Sequence, residues 1–109
     1  MTRYLISFDE GTMIIPAEEL AAVSEASHAV VAEAKAAGVW VTGGGVDGHE
    51  VSVVAPDGAV SHGSTEEHLG GFSVVDVPSH DEALEWAARI AVACRCPQEV
   101  RALQHDPEA

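Results

Sequence analysis

From Arg3 to Phe8 polar and apolar positions alternate, with Tyr4, Ile6 and Phe8 on one side, and this period of two predicts a half-buried strand. Asp9 to Thr12 reads as a turn. Pro16 suits the first position of a helix, and Glu18 and Glu19 fall near the positive end of its dipole, so a helix is expected from about Pro16 to Ala37. At about 100° per residue, Leu20, Val23, Ser27, Val30, Val31 and Ala34 gather on one face, opposite Glu25, Ala29 and Glu33. Gly38 is the expected stop, because glycine enters the left-handed cap without a steric penalty.

Val39, Trp40 and Val41 predict a second strand, ended by Gly43, Gly44 and Gly45. Val51 to Val54 alternates again, and Pro56, Asp57 and Gly58 form a turn that folds it back on Ala59 and Val60. Phe72 to Val77 is a further alternating strand. Ser79 to Glu82 has the form of a capping box, in which the serine side chain bonds the N–H three residues on and the glutamate reaches back. The helix it opens runs to about Cys94, with Ala83, Ala87, Ile90, Ala91 and Cys94 inward and Trp86 on its flank. Pro97 closes that region, and Glu99 to Leu103 makes a last short strand.

The resulting order, β-α-β-β-(short β)-α-β, predicts an α+β fold of the ferredoxin-like, split βαβ kind, in which two helices cover one face of an antiparallel sheet. Residues 3–103 form one domain and 104–109 a polar C-terminal tail. The other sheet face is left bare, so apolar residues there call for a partner, and a homodimer is expected. Tyr4, Ile6, Phe8, Trp40 and Phe72, with Val74, are expected to line a ligand-binding cleft on that side.

Composition narrows the function. Hydrophobic residues make up 47% and aromatics 5% of the 109 residues, which fits a globular core of small aliphatic side chains. A chain of this size leaves little room for an internal cavity, so a sizeable pocket is expected to draw on a second subunit. A formal net charge of −13 argues against nucleic acid and anionic membranes as partners. With no signal-type leader and no apolar run of spanning length, the expected location is cytoplasmic. Cys94 and Cys96, one residue apart, are too close for an ordinary structural bridge and short of the two pairs of a zinc ribbon, and Cys94 reads as a core thiol beside a helix end rather than as part of a redox or metal site.

The string AAGVWVTGGG after the first helix, a DG turn, LGGFSVVDVPSHDEALEWAARI and the closing QEVRAL together resemble the YCII-related family, in particular its DGPF branch, from about Arg3 to Leu103. The most specific part is the Gly70-Gly71-Phe72 strand followed by the helix from Asp81 to Ala87. The resemblance implies a ferredoxin-like subunit paired into a dimeric α/β barrel, with a small-molecule cleft near the dimer interface. It also implies an acid/base pair made of a first-helix histidine, which corresponds to His28, and a loop aspartate. The motif that names the branch aligns with His62, Gly63, Ser64 and Thr65, so its aspartate is a histidine here and only the glycine remains.

These residues define the candidate chemistry. His28 sits at the border of the apolar face, about 110° from its centre, where a side chain reaches past the helix edge. An imidazole with an ordinary pKa near 6.5 suits proton transfer at neutral pH. His62 lies beside a glycine that permits a tight turn, and if it meets His28, one ring acts as base while the other donates. His62, His68 and Glu66 or Glu67 are ligand-type residues without a known spacing motif, so no metal and no cofactor are assigned. Gly43 to Gly45 lack the context of a phosphate loop, and Ser64 and Thr65 lack an oxyanion-hole signature. The sequence therefore points to a dimeric protein that binds a small organic molecule, with proton transfer by His28 and His62. The alternative is a non-catalytic ligand-binding or regulatory dimer that has lost the acid/base pair.

Overall fold

A computed structural model describes residues 1–47, 51–63 and 68–109. Its elements follow as β1 (Thr2–Asp9), α1 (Leu20–Ala36), β2 (Trp40–Gly45), β3 (Ser52–Val54), β4 (Val60–His62), β5 (Leu69–Val77), α2 (His80–Cys94) and β6 (Glu99–Ala102). Four strands form one sheet in the order β2-β5-β1-β6, with every neighbouring pair antiparallel. That order and the two helices make the α+β, ferredoxin-like plait expected from the sequence, with β3 and β4 inserted as a separate hairpin.

Local chemistry explains most boundaries. The Ser79 side chain accepts from the Glu82 N–H at 3.2 Å and opens α2, as the capping box predicts. At the hairpin turn Asp57 Oδ1 accepts from the Ala59 N–H at 2.8 Å, and Gly58 takes φ +88°, which an L side chain would resist. The first helix differs slightly from the expected span. A 3-10 turn at Ala17–Glu19 follows Pro16, and the α-helix proper starts at Leu20. The second strand differs more: β2 does not end at the glycines but runs through them, because Gly43, Gly44 and Gly45 pair with Ser73, Phe72 and Gly71 of β5. Tertiary hydrogen bonding outweighs the weak strand preference of glycine there.

The core lies between the sheet and α2. Tyr4, Ile6, Val75 and Val77 from the central strands meet Ala83 and Ala87, with Val39, Trp86, Ile90 and Val100 packed around them. Alanines at i and i+4 let α2 approach the sheet closely. This corrects the expectation that Tyr4 and Ile6 line a cleft on the bare face. Tyr4 and Ile6 share one side of β1, as the alternation predicts, but that side is the one α2 covers, and both are buried. The outer face instead carries Leu5 opposite Val74 and Ser7 opposite Phe72.

Helix α1 sits more loosely. It fully buries only Val23 and Ala34, while Ser27, Val30 and Val31 are half-buried and Leu20 is exposed. Beneath its C-terminal half the sheet presents glycines, and two aromatic rings rest on them. A Cβ on Gly71 would meet the Phe8 ring at 2.7 Å, and one on Gly43 would lie 2.5 Å from the Phe72 carbonyl and 2.8 Å from the Trp40 ring. Gly44 and Gly45 face open space. Gly43→Ala is therefore expected to destabilise the fold by about 2–3 kcal/mol, since backbone must move, and Gly44→Ala by less than about 1 kcal/mol. Urea unfolding of the two variants checks the contrast.

Candidate functional site

The glycine-rich end of the sheet and the overlying helices enclose a cavity of about 410 Å³ within a single protomer. A pocket of this size is formed by residues of one chain. The space exists because three successive residues of β2 and one of β5, Gly70, line it without side chains. Its apolar wall comes from Phe8 and Trp40, with Met13 from the loop after β1 and Ile90 and Ala93 from α2. Phe72 borders it from the outer register, where its cross-strand neighbour is Gly44.

The polar groups come mainly from one helix. Ser27, His28 and Lys35 of α1 line the cavity, with Val30 and Val31 between them, and Ser73, Cys94 and Gln98 complete the wall. His28 is solvent-exposed yet borders the space, as its place at the edge of the apolar face implies. The Ser24 hydroxyl lies 3.3 Å from His28 Nδ1, one helical turn back. Where Nδ1–H donates to that oxygen, Nε2 keeps its lone pair and is free to take a proton.

A YCII-related domain model matches residues 2–101. The chain belongs to the YCII-related family. No curated protein matches it in sequence.

In this YCII-related chain the site residues named from sequence separate into three groups. Phe8, Trp40, Phe72 and His28 share the cavity, whereas Tyr4 and Ile6 belong to the core beneath it. His62 stands apart on the inserted hairpin. It pairs with Ser52 across β3 and β4, its Nδ1 is 3.2 Å from the Ser52 hydroxyl, and it does not border the cavity. The stretch 64–67, including Ser64, Thr65, Glu66 and Glu67, lies outside the described residues. Among the described residues no three His, Cys, Asp or Glu side chains converge as a metal centre requires. No described helix is long and apolar enough to cross a membrane.

Lys35 and Cys94 were missed as site residues. Lys35 is seven positions after His28, two turns on along the same edge of α1, so the wheel that flagged one histidine carried the signal for the lysine too. Cys94 is a core residue that also lines the cavity.

Burial pushes the Cys94 thiol above its ordinary value of 9.0, and the nearby Cys96 adds to the rise. Burial also raises Cys96, against hydrogen bonds from Thr12 and Gln98 that pull it down. Both cysteines are free thiols. Neither is poised as a thiolate nucleophile at neutral pH. Because the folded values lie above the unfolded ones, the stabilisation is complete below 9.0 and is lost as pH rises through the folded values. Unfolding free energy is expected to fall as pH is raised beyond that point, and a Cys94→Ala, Cys96→Ala double variant should show a shallower fall. Denaturant titrations at several alkaline pH values provide the check.

Proposed function

We propose that this protein is a homodimeric small-molecule-binding member of the YCII-related family, with its ligand in the cavity between α1, α2 and the glycine-rich sheet edge. The observation that carries the reading is the grouping of Phe8 and Trp40 with the edge-placed His28 around one space of about 410 Å³. A concave, largely apolar site with a few convergent polar groups is the usual form of a small-molecule site, and this volume lies in the usual range. The half-buried Leu5 and Val74, opposite each other on the uncovered sheet face, support the dimer.

Within that reading His28 is the proton-transfer group, acting without a cofactor on a ligand with an acidic C–H or an isomerisable double bond. His62, which takes the place of the aspartate in the DGPF branch, is the weaker half of the pair. It is hydrogen-bonded on its own hairpin and absent from the cavity wall of its protomer. The same observation supports the second reading, a binding or regulatory dimer that keeps the cleft and has lost paired acid/base chemistry. Besides His28, the titratable groups on the wall among the described residues are Lys35 and Cys94.

Two experiments separate these readings. Small aromatic and carbonyl compounds should shift the Trp40 indole and His28 signals in NMR spectra, and Gly45→Leu, which extends a side chain into the open space, should abolish the shifts. Loss of binding in wild type as well would sink the cleft. Deuterium uptake from D₂O into a bound ligand should fall roughly 100-fold or more in His28→Gln while binding persists; no uptake by the wild type selects the non-catalytic reading.

For the dimer, light scattering should give twice the 11.3 kDa chain mass, and Leu5→Glu should give single chains. A monomeric wild type would remove the dimer from the proposal and leave the cleft in place.

A further inference from the structure

We propose that the ligand of this cleft is a small organic anion: an aromatic or apolar body carrying a carboxylate, with the negative group held by Lys35 at the α1 wall. The inference rests on the reading of the cavity as a ligand site and adds the chemical class of what it takes.

The argument is a contrast of charge. The chain carries 18 Asp and Glu against 5 Lys and Arg, and Lys35 is its single lysine. Among the described residues the cavity wall nevertheless holds no Asp or Glu, while Lys35 and His28 both lie on it. Two carboxylates near α1 pair with arginines away from the cavity. Glu33 lies 3.6 Å from Arg89 in the groove between the two helices on the far side, and Glu19 is 3.0 Å from Arg95 at the start of α1. The one lysine of a strongly acidic chain thus lines a mainly apolar cavity whose described wall carries no carboxylate.

Electrostatics then selects the ligand. Among the described residues a cation in this cavity would meet a lysine and no carboxylate on the wall. A carboxylate meets an ammonium beside a low-dielectric wall, where a charge-assisted hydrogen bond is stronger than in open water. The net charge of −13 disfavours anions at long range, but that repulsion is screened beyond about 8 Å at physiological salt, so the contact group decides. Seven residues along a helix separate His28 and Lys35 by about 10.5 Å of rise, within about 20° of the same face. A ligand anchored at Lys35 therefore extends along α1 toward His28, and its body meets the Phe8 and Trp40 wall. Phe8 and Trp40 are two of only five aromatic residues in the chain, which fits a ring in the ligand.

The test compares three compounds of nearly one shape, phenylacetate, phenylacetamide and phenethylamine, titrated against the full chain while the Trp40 indole N–H is followed by NMR. Phenylacetate should bind roughly fivefold tighter than the amide, with the amine weakest, and this preference should shrink as salt is raised. Lys35→Met should bring phenylacetate down to the level of the amide measured in the same variant, and Lys35→Arg should keep the preference. Lys35 is exposed, so neither variant threatens the fold. Amide or amine binding as tightly as the acid, or a preference that survives Lys35→Met, overturns the charge assignment and leaves the cleft standing. If none of the three binds, the cleft reading falls and this inference with it.

Discussion

The Phe8 ring lies against the backbone of β5 where Gly70 and Gly71 carry no side chain, and the Trp40 ring covers Gly43 in the same way. Much of the molecule's character follows from these contacts. An aromatic ring on bare strand backbone buries a large apolar area with no room for a Cβ between the two surfaces. The rings therefore occupy the sheet floor, and α1, which would otherwise press onto larger strand side chains, stands above a space instead. The plait keeps a tight half under α2 and an open half under α1.

This division also explains how a small chain holds both a core and a cleft. The tight half depends on Ile6, Val75 and Val77, which are completely buried against the Ala83 and Ala87 side of α2. Those contacts carry most of the hydrophobic stabilisation, because apolar area fully removed from water contributes most. The open half gives up burial for volume. Exposed ion pairs such as Arg89 with Glu33 and Arg95 with Glu19 link the two helices, and pairs of this kind contribute little to stability. Their consequence is spatial, since they hold carboxylates on the outer surface and away from the cavity.

The inserted hairpin is a separate matter. Its valines at 53, 54 and 60 remain exposed, and His62 is fixed across the strands by Ser52. His62 and His28 are thus held by different parts of the fold, and His62 does not border the cavity that His28 lines.

Much of this was written in local sequence. The alternation of β1, the Ser79 cap, the Asp57 and Gly58 turn, the glycine stop at Gly38 and the residues that identify the family are patterns a short window contains. Position on a helix edge was equally legible for His28, and would have been for Lys35. What the sequence by itself determined is the set of elements, their order and the α+β class. Only the tertiary structure decided that Tyr4 and Ile6 face α2, that β2 continues through Gly43 to Gly45, that the cavity lies within one chain, and that His62 stands away from it. The physical reason is that period and capping are properties of neighbours along the chain. Which sheet face is covered, whether glycines find strand partners, and where a void remains depend on residues far apart in sequence that packing brings opposite one another.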